Sequence, residues 1–269
     1  MPVKPITQQR RATPEGGGTI TPTEKGSGRF ETNLPIRKVT RLPSNFLPYP
    51  EGVAISYVPY TFDELLAFGQ SNMSKADSVE YILRGIHTEG IEKHQLSFFD
   101  FIYVSLLRKM SSFRDDEIIV EYDCYNCGTK NVLNERMSQL DFKDLDIPRL
   151  PIKVKVEEGV FLHFAPITIK TFLELERFNM MENKVAVYAA AVVNMERSQA
   201  TPIIKNAQGD LLRALVYVDD KLSFGLKPLI RNCKNCKASN TLGMDEPEAF
   251  IYPFRGSDGL IGDVIQFDV

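Results

Sequence analysis

Cys124-Tyr125-Asn126-Cys127 and Cys233-Lys234-Asn235-Cys236 contain all four cysteines of this chain, in two identical spacings. Two thiolates on one tight turn can converge on a soft metal ion, and two such turns supply the four sulfurs of a closed tetrahedral Zn²⁺ site. The expected ligands are therefore Cys124, Cys127, Cys233 and Cys236, and the expected cofactor is structural Zn²⁺. Such a site has no open coordination position, so it holds structure and leaves catalysis aside. Three other readings use the same residues: two vicinal disulfide or redox pairs, a thioredoxin-like C-x-x-C, or four buried thiols without chemistry. Metal is preferred because neither pair opens a helix after a strand and because chance rarely gives two matched pairs. His87, His94 and His163 are scattered and assemble no rival ligand set.

The elements that must position the sulfurs are clearer on one side than on the other. Glu117 to Asp123 alternates as a strand does and runs straight into the first pair. Gly128 follows that pair, and its tolerance of positive φ lets backbone N–H groups turn back toward the sulfurs. Lys237 stands at the matching place after the second pair, so that turn has no glycine. Four thiolates around Zn²⁺ leave a charge of about −2, which Lys130, Arg231, Lys234 and Lys237 are near enough in sequence to offset. More than a hundred residues separate the pairs, whereas compact zinc ribbons keep them within about twenty. A shared ion would staple distant parts of the chain, and no longer repeat is read, since only the C-x-x-C elements are matched.

With 269 residues, 43% hydrophobic and 25% charged, the chain has the composition of a soluble globular protein. No run reaches the roughly 18 apolar residues of a membrane helix, and the first residues lack the apolar stretch of a secretory signal. Folding in a reducing cytoplasm is the expectation, and it favours metal over disulfide. A net charge of −3 argues against a surface built throughout for phosphate. Residues 1–41 nevertheless carry eight basic and three acidic side chains with five Gly and five Pro, which reads as an extended interaction arm. The core is expected over 42–245, closed by the knuckles near 124–127 and 233–236, with 246–269 as a tail.

Within that core, Val53 to Val58 reads as a strand, and Thr61-Phe62-Asp63-Glu64 is a capping box opening a helix. Ser74 caps a second helix with Val79, Ile82, Leu83 and Ile86 as its apolar stripe, and Ser97 caps a third bearing Phe98, Phe101, Ile102 and Leu106. Ile152–Val156 and Val160–Phe164 alternate as a hairpin. Helical patterns follow at 168–178, 183–196 and 210–223, the last with Asp210 as N-cap, and 199–209 reads as a loop. The fold class is α+β: mixed helices and short antiparallel strands around a split four-cysteine zinc ribbon, preceded by an extended arm.

No phosphate-binding glycine loop, dinucleotide fingerprint, H-E-x-x-H or G-x-S-x-G occurs. The carboxylates at Asp115-Asp116-Glu117 and Asp144/Asp146 read as solvated faces, and Asp219-Asp220, in a helix, offers at most one side chain to each face, so no enzyme is expected. Leu106-Leu107-Arg108-Lys109-Met110-Ser111-Ser112, the strand into Cys124, Leu140 to Pro148 and Ala165 to Ile169 occur in an order that resembles the baseplate hub and assembly proteins of T-even-like contractile-tailed bacteriophages. The resemblance covers roughly 42–255, including the second C-x-x-C and Ile251-Tyr252-Pro253-Phe254. It implies a virion component made in the host bacterial cytoplasm and built, in several symmetric copies, into the tail baseplate. Hub, spike, tail-tube or other baseplate proteins would be its partners, with no membrane insertion and no catalytic residues. The alternative is a nucleic-acid-binding zinc-ribbon protein, akin to a transcription factor, using the basic arm on phosphates.

Overall fold

The computed structural model describes residues 35–70, 73–112 and 117–242. Residues 1–34 of the expected arm and the whole expected tail lie outside the described residues. The last part of the arm region is in the fold: Arg37–Lys38 is β1, the Val39 N–H donates to Ile55 O, and Arg41 forms a two-pronged ion pair with Asp144.

β1 pairs with Ala54–Tyr57 (β2), which pairs with Ile86–Glu89 (β3), giving a three-stranded antiparallel sheet in that order. Two helices lie between β2 and β3. Phe62–Gln70 (α1) begins on the expected box, with the Thr61 N–H on the Glu64 carboxylate at 2.9 Å and the Glu64 N–H on Thr61 Oγ1 at 3.2 Å. Lys75–Leu83 (α2) begins where Ser74 Oγ accepts the Asp77 N–H. The helical stripe ends one residue group early, because Ile86 leaves it, opens β3 and is fully buried there.

Phe98–Ser112 (α3) is the central helix, and it buries Phe98, Phe101, Ile102, Val104 and Leu106. It also buries Arg108, whose guanidinium donates to Val58 O at 2.7 Å, Ile82 O at 3.1 Å and Glu64 Oε1 at 2.6 Å, and lies 3.8 Å over the Tyr60 ring. One side chain thus joins α1, the end of α2 and the chain after β2. Gly85 is glycine for this reason, since a Cβ there would sit 2.1 Å from the guanidinium carbon.

Glu117–Asp123 (β4) and Lys130–Arg136 (β5) form a hairpin, and a two-residue strand, Phe142–Lys143 (β6), follows. Ile152–Glu157 (β7) and Val160–Phe164 (β8) form the expected second hairpin. Ile169–Arg177 (α4) starts on the Thr168 cap and stacks Phe172 on Phe98 with ring centres 3.9 Å apart. Lys184–Ala190 (α5) is shorter than its sequence pattern, because Val192 and Val193 turn out to extend the β8 edge, with the Val193 N–H on His163 O at 2.8 Å. Arg197–Lys205 (α6) replaces the expected loop and is held at its start by a box between Glu196 and Gln199. Gly209–Leu222 (α7) has Gln208 at its N-cap position, two residues before the expected Asp210, and Gln208 makes no side-chain capping bond.

Gly225–Leu226 (β9) then pairs with β6, placing Phe142 opposite Leu226 and Lys143 opposite Gly225. Leu229–Asn232 (β10) and Ser239–Leu242 (β11) make the final hairpin. All strand pairs among the described residues are antiparallel and the seven α-helices are short, so the architecture is mixed α+β. No described helix is long and apolar enough to cross a membrane.

Candidate metal centre

The turn of the first cysteine hairpin closes through the Cys124 N–H on Thr129 O at 3.0 Å and the Gly128 N–H on Cys124 O at 2.8 Å. The second closes through the Cys233 N–H on Ala238 O at 2.8 Å and the Lys237 N–H on Cys233 O at 3.1 Å. These are the same bonds at the same offsets. Gly128 has φ +65° and Lys237 φ +62°, so the lysine adopts the left-handed conformation that glycine supplies in the first turn. A non-glycine residue pays roughly 1–2 kcal/mol for that conformation, and Lys237 Nζ recovers a little by donating to Lys234 O at 3.1 Å. Lys237→Gly is expected to raise stability by about 0.5 kcal/mol, after the extra freedom of the unfolded glycine is deducted, and Gly128→Ala to lower it by about 1 kcal/mol. Paired urea titrations check both, and no clash enters at Gly128, where an added Cβ meets open space.

The two turns face each other and bring all four expected ligands together. Cys124 Sγ lies 3.6 Å from Cys236 Sγ, Cys127 Sγ lies 3.7 Å from Cys233 Sγ, and the four sulfurs are all within 4.8 Å of one another. A tetrahedron with metal–sulfur arms of about 2.3 Å has edges of about 3.8 Å, so the set fits a single tetrahedral ion. All four cysteines are free thiols, and these two close approaches run between the turns, as shared ligation requires and separate C-x-x-C redox pairs do not. Cys124 and Cys233 are buried, Cys236 is half-buried and Cys127 is exposed. His87, His94 and His163 form no part of the cluster.

The surroundings favour thiolate unevenly. The Thr129 hydroxyl, 3.1 Å from Cys127 Sγ, and the Thr129 N–H pull the Cys127 pKa down to about 6. Burial opposes ionisation of Cys233, yet the backbone N–H groups of Cys236 and Asn235 and the Asn131 amide outweigh it and lower its pKa. At Cys236 the Asn126 amide and the Ala238 N–H favour the thiolate, but burial and the neighbouring sulfurs prevail and push it up.

Arg231 carries the contact outward from the sulfurs. Its guanidinium makes a two-pronged bond to Glu135, 2.6 Å and 2.8 Å, which ties β10 to β5 and holds the Glu135 carboxyl below its ordinary range. A depressed folded-state pKa gives stability that is full above the unfolded value of about 4.3 and is lost as pH falls through the folded one. The melting difference between wild type and Glu135→Gln is therefore expected to be constant above about pH 5 and to shrink below about pH 4. Any ion held by the cysteines would be released by acid from both proteins alike, and taking the difference removes that common loss.

The structure also shows a wider repeat than the cysteines alone. Asn126 and Asn235 occupy the same place between the cysteines, and Asn131 and Asn240 each lie seven residues after the first cysteine of their pair, so both turns read C-x-N-C-x-x-x-N. Asn131 and Asn240 are buried among the turns. Their signal was present in the sequence as a register match over eight positions. The long separation is also recast, because β6 and β9 pair between the two hairpins. The chain leaves one hairpin, builds residues 144–224 and returns beside its point of departure. Without that body, about 25 residues would separate Cys127 from Cys233, close to the spacing of a compact ribbon.

Comparison of the chain with family models, curated proteins and solved structures found no match in any of the three.

Proposed function

We propose that this chain is a structural, non-enzymatic component of a contractile-tail baseplate, in or beside the hub, with one Zn²⁺ held by Cys124, Cys127, Cys233 and Cys236. The reading rests on the ordered sequence resemblance over roughly 42–255. The observation that supports it best is the four-sulfur cluster, whose tetrahedral dimensions leave no open ligand position. Zinc is chosen among soft-ligand metals because it favours tetrahedral thiolate and has no redox chemistry of its own. Elemental analysis of the purified protein should return about one zinc per chain.

The function is tested by deleting the gene from the phage. The expected result is filled heads without baseplates, at ordinary levels of late transcripts, and complementation by the intact chain. Loss of late transcripts would instead support the zinc-ribbon transcription-factor reading. One feature favours that second reading: Tyr125 is 76% exposed at the tip of the first turn, with Lys234 and Lys237 on the turn facing it, and an exposed aromatic beside basic groups is a base-stacking platform. The chain beyond residue 41 is acidic, near −8, which opposes broad phosphate binding.

A further inference from the structure

The facing turns are joined by an exchange of asparagines. Asn131 donates from Nδ2 to Thr129 O at 2.7 Å in its own turn, while its Oδ1 accepts the Lys234 N–H of the opposite turn at 2.9 Å. Asn240 repeats both bonds, to Ala238 O at 2.8 Å and from the Tyr125 N–H at 3.1 Å. Tyr125 and Lys234 each follow the first cysteine of their pair, so each asparagine grips the opposite turn at the residue beside a ligand. Asn131 Nδ2 also lies 3.7 Å from Cys233 Sγ. Asn126 reaches across to Cys236 Sγ at 3.5 Å, and Asn235 reaches Cys127 Sγ at 4.0 Å and Thr129 Oγ1 at 3.1 Å.

Resting on the reading of the cluster as a zinc site, we infer that Asn131 and Asn240 are positioning residues for the metal, setting the separation of the two thiolate pairs. Burial decides which asparagines matter. Asn131 and Asn240 are 2% and 3% exposed, so water cannot replace their bonds, whereas Asn126 and Asn235 are exposed and solvent can take over their donation. The side chain must donate in one direction and accept in the other, which aspartate cannot do. Aspartate would also place a negative charge beside four thiolates.

The test measures Zn²⁺ affinity by chelator competition, and the Co²⁺ absorption spectrum, for the full chain and for Asn131→Ala, Asn240→Ala, Asn131→Asp and the Asn126→Ala/Asn235→Ala double variant. Asn131→Ala and Asn240→Ala are each expected to weaken zinc binding about 10- to 100-fold, as loss of an outer-shell partner does. Asn131→Asp should bind no better than Asn131→Ala, and the double variant should stay within about threefold of wild type. Cobalt bands should shift in Asn131→Ala and Asn240→Ala, a readout of sulfur geometry that an asparagine merely stabilising its turn would not move. Affinities within about threefold of wild type for both alanine variants, with one metal bound per wild-type chain, would overturn the inference and leave the zinc reading standing. A wild-type chain with no tetrathiolate cobalt spectrum would overturn both. If Asn131→Ala does not fold, Asn240→Ala carries the same test from the opposite turn.

Discussion

On the proposed zinc reading, Cys233→Ser is expected to lose the equimolar zinc and, with it, the union of the two cysteine hairpins. Cys233 is fully buried and its sulfur lies 3.7 Å from Cys127 Sγ, so a serine there removes one ligand from a site with no spare position. A structural zinc contributes on the order of 10 kcal/mol or more to the region it holds. The Arg231–Glu135 pair and the asparagine bonds alone cannot replace that, since ion pairs and hydrogen bonds of this kind contribute about 1–3 kcal/mol each. The loss should be local. The body between β6 and β9 packs Leu162, Phe164, Phe172 and Val218 into the main core, where Phe172 stacks on Phe98 of α3, and hydrogen exchange should show protection lost over 122–133 and 229–241 but kept over 152–222. Equimolar zinc in Cys233→Ser, or equal loss of protection in the body, would contradict this account.

Arg108→Met is the second large effect, and it acts elsewhere in the fold. The substitution keeps a long apolar stem but removes the donors for Val58 O, Ile82 O and Glu64. Breaking a buried ion pair from one side costs about 3–5 kcal/mol, because the remaining charge is left without its partner. Glu64 also anchors the first turn of α1 through its other oxygen, so the damage should reach that helix. Urea denaturation should show a lower midpoint in Arg108→Met, and an Arg108→Met/Glu64→Met double variant should recover part of it. Gly85→Ala should act similarly by forcing the guanidinium from its place. An Arg108→Met midpoint equal to wild type would show that the buried guanidinium contributes nothing net.

What could be read in the sequence was local. The Thr61–Glu64 box, the Ser74 cap, the apolar spacing of α3 and the alternation of β4, β7 and β8 are each settled within a few residues, and each lies where the pattern placed it. The meeting of the four cysteines was legible because two matched C-x-x-C spacings point to one shared cluster. The differences come from pairing at a distance. Ile86 fits a helical stripe until β2 claims it as a strand partner, and Val192 continues α5 until Phe164 pairs with it. The two-residue strands β6 and β9 leave no periodic trace at all. For α6 a local signal existed in Glu196 and Gln199, but Pro202 and the polar residues around it concealed the helix. The buried asparagines carry no periodic or compositional signal of their own, and only the matched offset from Cys124 and Cys233 marks them.

The separation of the cysteine pairs also sets a timetable. With Cys127 and Cys233 106 positions apart and synthesis at about 5–20 residues per second, the first two thiols leave the ribosome roughly 5 to 20 seconds before their partners. During that interval the first hairpin has no facing turn, while the helices and hairpin of 144–224 emerge and can fold behind it. Closure of the four-cysteine cluster is thus the last event in making this region, and until it happens the early thiols stand without the partners that will face them.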